Sequence, residues 1–201
     1  MLKCVSLAQG IEYLRNDGVI VFPTETTYAL GCRAFSQTAV SRLVQLKGRP
    51  DGKPLPVLLP SLKYLQQFAI ESPLLPLANY FWPGPLTVVI PCFPNLAREV
   101  SGNTNMVGVR RSANPIAAAL VEALDEPIVA TSANVSGTPA ASTVEACHAA
   151  GLSGVDGLIE GGTVGGKAST VVGLVEGRLE TFREGELPSE LVHSTWRELR
   201  S

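Results

Sequence analysis

Punctuation limits this fold more than any other feature of the chain. Short apolar runs, each cut off by Gly, Pro or a hydroxyl residue, alternate with segments of helical period along almost the whole sequence. Residues 19–22, 28–34, 56–59, 86–90, 107–110, 128–131, 158–159, 170–175 and 179–182 read as strands. Between them, residues 6–17 read as a helix capped by Ser6 and stopped by Gly18. In 37–46, Val40, Leu43, Val44 and Leu46 fall at helical spacing, with Ser36 as cap. Further helices are expected from Ser61, over 74–81 and over 143–149. Asn114-Pro115 joins a cap to a proline at the first helical position of a helix ending at Leu124. No linker, repeat or low-complexity segment breaks the series. The expectation is an α/β (α+β) fold in one domain, residues 1–201, with a layered sheet covered by helices on both faces.

Composition narrows the partners. At 45% hydrophobic and 17% charged residues, the chain can bury a core and is not a disordered sequence. A net charge of -2 and a pI near 5.7 argue against general binding to nucleic-acid backbones, so no DNA partner is expected. No apolar run approaches the roughly 18 residues of a membrane helix. The first residues carry no secretory signature, and the expected location is cytoplasmic, away from membranes. Cys4, Cys32, Cys92 and Cys147 lack paired zinc spacing and read as isolated buried thiols of a reducing compartment. His148 and His193 are too few for a three-histidine site, so no protein-held metal is expected.

Several segments carry polar groups at strand ends, where open α/β sheets collect ligands. Pro23 cuts the first strand and is followed by Thr24, Glu25, Thr26, Thr27 and Tyr28, a dense set of hydroxyls around one carboxylate. The set suits a small polar ligand or, equally, a Thr-rich turn between strands. Lys47-Gly48-Arg49-Pro50, with Lys53 behind, holds three cations on a stiff turn at a helix end, a geometry suited to polyphosphate or carboxylate. Ser132 and Asn134 follow the buried strand 128–131 among small residues that let a ligand approach the backbone. Gly161, Gly166 and Lys167 have the spacing of a phosphate-binding loop. However, Ala168 stands where a hydroxyl is required, and 170–172 looks like a strand where a helix should follow. That reading is rejected in favour of a flexible loop over or beside a site. Trp82-Pro83-Gly84-Pro85 reads as a rigid structural corner. His193 and Trp196, in a charged C-terminal tail, receive no role.

These pieces, in this order, resemble the YrdC/YciO family, closest to its short bacterial threonylcarbamoyl-AMP synthases, with some YciO-like stretches. The resemblance rests on Pro23-Thr24-Glu25-Thr26 with Tyr28 and Gly31, and on Lys47-Gly48-Arg49-Pro50 with Pro54-Leu55. It continues through Trp82-Pro83-Gly84-Pro85-Leu86-Thr87, Val109-Arg110, Ser132-Ala133-Asn134 with Ser136-Gly137, and Ser169-Thr170-Val171-Val172 with Arg183. It departs at Ala29, Leu58, Ala168 and Gly173.

The resemblance implies a YrdC/RibB-like twisted mixed sheet with a large positive cavity. It implies a nucleotidyltransferase that condenses L-threonine, bicarbonate and ATP, with Mg2+ carried by the ATP, to threonylcarbamoyl-AMP and pyrophosphate. A tRNA-modification partner protein would then move the group to tRNA. Lys47 and Arg49 are implied as catalytic, and Lys47, Arg49, Lys53, Ser132, Asn134, Ser142 and Arg183 as ATP-binding. Thr26, Arg110 and Ser169 are implied to hold threonine. An RNA-binding factor and a YciO-like paralogue without synthase activity are the competing readings. On the synthase reading, Lys47→Ala is expected to abolish turnover and leave the fold intact.

Overall fold

The computed structural model describes residues 1–48, 52, 54–69, 71–93 and 96–200. Among them, the strands are β1 Ile20–Pro23, β2 Tyr28–Arg33, β3 Val57–Leu58, β4 Leu86–Pro91, β5 Met106–Arg110, β6 Ile128–Ser132, β7 Gly157–Leu158, β8 Thr170–Val175 and β9 Arg178–Arg183. They form one mixed sheet in the order β7-β1-β2-β6-β3-β5-β4-β8-β9. The helices are α1 Leu7–Arg15, α2 Gln37–Lys47, α3 Leu65–Phe68, α4 Leu75–Phe81, α5 Arg98–Ser101, α6 Pro115–Leu124, α7 Val144–Ala149 and α8 Ser189–Glu198.

The helix ends follow from local chemistry. Ser6 accepts from the Gln9 N–H while the Gln9 side chain accepts from the Ser6 N–H, a reciprocal cap that satisfies two donors α1 cannot use internally. Asn114 accepts from Ile116 and Ala117, and Pro115 opens α6 where a missing N–H costs nothing. Ser36 caps α2, and Gly48, at φ 56°, ends it in the left-handed region where a Cβ would be strained. Two expectations need correction. The C-terminal tail is the helix α8, amphipathic enough to bury Val192, Thr195 and Trp196 against the core; its alternating charges hid that stripe. Cys4 is exposed, although Cys32, Cys92 and Cys147 are buried as expected. Burial pushes the Cys147 thiol up to about 12, so it stays an inert thiol.

The period-two alternation of the strands divides the sheet into unequal faces. On one face Val21, Leu30, Val57, Val88, Val109, Val129 and Val172 form a continuous core with α2, α4 and α8. On the other, Ile20, Phe22, Ala29, Leu58 and Ile128 pack with α1, α6, Val5 and Ile159. That second apolar layer stops at β3. Beyond it, in the same surface row, Leu58 is registered with Arg110, Thr87 with Val171, and Val171 with Arg183. The helices therefore flank both faces but leave half of one face to polar residues.

Asp156 fastens α2 to the start of β1. It accepts from both terminal nitrogens of Arg42 at 2.7 and 3.0 Å and from the Val19 N–H at 2.7 Å. Burial alone would raise its carboxyl above the usual 3.8, but the Arg42 and Val19 bonds outweigh burial and hold it lower. A depressed folded-state value means stability that is complete above the unfolded value and is lost as pH falls through the folded one. Asp156→Asn is therefore expected to cost about 1–3 kcal/mol at neutral pH. It should also flatten the decline in urea stability below about pH 4; an unchanged acid limb in the variant would contradict this.

Candidate functional site

The loop between β1 and β2 builds itself around Thr24. The Thr24 hydroxyl donates to the Thr27 carbonyl at 2.6 Å and accepts from the Thr26 and Thr27 N–H groups at 3.3 and 3.2 Å. This is the local side-chain-to-backbone bonding that Thr favours in turns. One member of the hydroxyl cluster is thus spent on the turn. The Thr26 hydroxyl lies 2.9 Å from Thr24 Oγ1 and accepts from the Arg110 guanidinium at 3.1 Å.

That last bond reports the shape of the sheet. Arg110 lies on β5, and β6 and β3 stand between β5 and β2. Three ladder steps in a flat sheet would span roughly 14 Å, beyond the reach of one side chain. The sheet must curl, and the half of its face that α1 and α6 leave uncovered becomes the concave wall of a site. Arg110 is buried there, 3.6 Å from Glu25, whose other contact is the Ser112 hydroxyl. From the far side, Arg183 donates to the Ser169 carbonyl and hydroxyl, both at 3.0 Å, and Ser169 shares a 2.8 Å bond with Thr87. Burial pulls the Arg110 guanidinium below its ordinary value, Glu25 pushes it back, and the neighbouring charge of Arg183 lowers it again. Burial lowers Arg183 as well. Both remain cationic. Among the described residues the Arg110 guanidinium has one carboxylate, Glu25, in ion-pair contact, and the Arg183 charge stands near it as a second cation.

A second cluster adjoins the first. Lys47, at the end of α2, is buried, and its ammonium donates to Ser132 O at 2.6 Å, Asn134 Oδ1 at 2.9 Å and Asn134 O at 3.0 Å. Three donors meet three close acceptors. Burying an ammonium costs several kcal/mol, and charge-assisted bonds of about 1.5–3 kcal/mol each are of the size needed to offset that. The Asn134 amide nitrogen in turn donates to the Val135 and Thr138 carbonyls, which locks the loop after β6. Arg49 and Lys53, expected beside Lys47, lie outside the described residues.

Residues 161–168 cover the junction of the clusters. The Tyr28 hydroxyl donates to Gly162 O at 2.8 Å and accepts from the Gly161 N–H at 2.9 Å. Val164, Gly165 and Gly166 donate to Ser142 O, Glu25 O and Thr26 O at 2.9, 3.3 and 2.6 Å. The rejection of a phosphate-binding loop holds, because Thr170 begins β8. Of the expected residues, Thr26, Arg110, Ser169 and Arg183 meet directly or through shared neighbours, as do Lys47, Ser132 and Asn134. Ser142 joins the groups through the covering loop. Sequence reasoning quoted Glu25 and Thr87 within motifs but gave neither a role, and it left Ser112 out; the lone hydroxyl of Thr87 in an otherwise apolar strand was the available signal. A cavity of about 860 Å³ between the β8–β9 turn and α8 is lined by none of the expected residues, so it is not the cationic cavity anticipated. Among the described residues no group of three His, Cys, Asp or Glu could hold a metal ion, and no helix is long and apolar enough to cross a membrane.

The chain and its fold resemble known proteins. A threonylcarbamoyl-AMP synthase of Pyrococcus abyssi is 37% identical over 199 residues, covering 98% of this chain and 58% of its own length. The chain spans little more than half of such relatives. The crystal structure of P. abyssi Sua5 complexed with L-threonine superposes with a TM-score of 0.89 at 36% identity, over 94% of this chain and 56% of that one. Escherichia coli YciO superposes at 0.80 with 30% identity, over 92% and 93%. The family model named Sua5_yciO_yrdC and described as "Telomere recombination" matches residues 12–185. The chain belongs to the Sua5/YciO/YrdC family.

Proposed function

We propose that this protein is a nucleotidyltransferase that condenses L-threonine, bicarbonate and ATP to threonylcarbamoyl-AMP and pyrophosphate. The observation that carries the reading is the pair of guanidiniums, Arg110 and Arg183, lined with the hydroxyls of Thr26 and Ser169 on the uncovered, curled half of the sheet. The amine of threonine forms a carbamate with bicarbonate, and a carbamate oxygen attacks the α-phosphorus of ATP, expelling pyrophosphate. No protein nucleophile is required. The protein positions three reactants and offsets crowded negative charge.

In this scheme Thr26, Arg110 and Ser169 hold threonine, with the planar fork of Arg110 on its carboxylate. Arg183, Ser132, Asn134 and Ser142 line the nucleotide, with Lys47, Arg49 and Lys53 toward its phosphates and Lys47 and Arg49 serving the transfer itself. Mg2+ arrives as part of the nucleotide substrate. The product would pass to a partner enzyme acting on tRNA in the cytoplasm. The synthases named above support the chemistry, and the threonine-bound Sua5 supports the amino acid. A second reading is a YciO-type protein that handles such adenylates without net synthesis, and the likeness to Escherichia coli YciO supports it.

Mass spectrometry of the protein with ATP, Mg2+, bicarbonate and L-threonine, each omitted in turn, decides between them. Threonylcarbamoyl-AMP is expected only in the complete mixture. Its absence, with ATP still bound, would move the protein to the second reading. The structure also revises the expectation for Lys47. Because its ammonium is bonded into the loop after β6, Lys47→Met should lose turnover and also about 2–4 kcal/mol of stability in urea titration. An inactive variant of unchanged stability would show that Lys47 acts on the nucleotide alone.

A further inference from the structure

We infer, on the reading just proposed, that Glu25 binds the ammonium of the amino-acid substrate and takes a proton from it. The chemistry needs such a group. An α-ammonium has no lone pair, so it cannot attack bicarbonate until one N–H proton has left.

Glu25 is placed and prepared for this. Its side chain is only 20% exposed, and its two oxygens are treated differently. Oε2 faces Arg110 at 3.6 Å and accepts from the Ser112 hydroxyl. Oε1 is fully buried and has no hydrogen-bond partner among the described residues. A carboxylate oxygen withdrawn from water without a donor is rare in folded proteins and points to a missing partner. An ammonium supplies the charge and the donors that Oε1 lacks. The neighbours fit as well, since an α-amino acid carries its ammonium and carboxylate on one carbon, and Glu25 and Arg110 present the opposite charges side by side. Among the described residues the charged group in ion-pair distance of Glu25 is Arg110, which in turn feels the charge of Arg183. The covering loop presses on the backbone of Glu25 and Thr26, and a Cβ at Gly165 would lie 2.8 Å from Glu25 O. Only glycine lets the cover come this close.

The step balances. Oε1 takes one proton from the ammonium, and the freed lone pair forms the N–C bond to bicarbonate. A second N–H proton leaves with the bicarbonate hydroxyl as water, which yields the carbamate. The proton on Glu25 returns to solvent when the product departs.

The test is the pH dependence of kcat/KM for threonine in the parent, Glu25→Gln and Glu25→Asp, between about pH 6 and 9. The parent is expected to level off above neutrality. Glu25→Gln can use only threonine that is already unprotonated, so its rate should climb about tenfold per pH unit and lie on the order of 10²–10⁴ below the parent at pH 7. Glu25→Asp should restore the parent's profile at a lower level, and KM for ATP should not move. A Glu25→Gln profile parallel to the parent would overturn the inference and leave Glu25 as a support for Arg110. A changed Mg2+ requirement would assign Oε1 to the metal and overturn it too. A second measurement needs neither variant nor turnover: calorimetric titration of the parent with L-threonine and with 3-hydroxybutyrate, which lacks only the α-amine. The analogue should bind at least about tenfold more weakly, the scale of one charge-assisted bond. Equal affinities would overturn the inference. A parent that forms no adenylate yet discriminates the two ligands would sink the synthase reading and keep Glu25 as the ammonium anchor.

Discussion

The site depends on holding the guanidinium of Arg110 out of water at the seam of a curled sheet. A buried cation is tolerated only when its surroundings supply charge and acceptors, and here Glu25 and Thr26 supply part of both. Both come from the β1–β2 loop, while Arg110 sits on β5. The same contact therefore closes the curl and defines the concave wall. Arg183, held by Ser169 from the opposite side, adds a second positive charge that lowers the Arg110 guanidinium further. The protein keeps this electrostatic tension, and an anionic substrate relieves it.

Lys47 shows the other way of burying a cation. Among the described residues its ammonium donates to carbonyl and amide oxygens of the loop after β6. These bonds hold the loop carrying Ser132 and Asn134 against the end of α2. Arg110 is paired with a carboxylate and Lys47 is bonded to neutral oxygens, and a nucleotide with an amino acid would meet the two environments next to each other. Tyr28, fully buried, anchors the covering loop at the junction, so the mobility anticipated for that loop would have to be bought by breaking its bonds to Gly161 and Gly162.

Most of the secondary structure was legible because its causes are local. Ser6, Ser36 and Asn114-Pro115 cap the helices they were expected to cap, and the apolar runs at 19–22, 86–90 and 170–175 became interior strands within a residue or so of their expected ends. What failed had no local signature. The amphipathic stripe of α8, Val192, Thr195 and Trp196, is interleaved with charged residues and reads as a solvated tail until a core is present to receive it. The site residues could be named from ordered motifs, but not their division of labour. Nothing in the run Thr24-Glu25-Thr26-Thr27 says that Thr24 serves the turn and Thr26 serves Arg110.

By itself, then, the sequence determined the elements, the caps, the family and the set of polar residues at strand ends, because each is written in spacing and composition over a few neighbouring positions. Only the tertiary structure decided where the second helical layer stops. It brought Glu25 within 3.6 Å of Arg110 across the intervening strands, and it left one oxygen of that carboxylate without a hydrogen-bond partner among the described residues. The physical reason is that curl, burial and charge balance are sums over distant parts of the chain, and no local pattern records a sum.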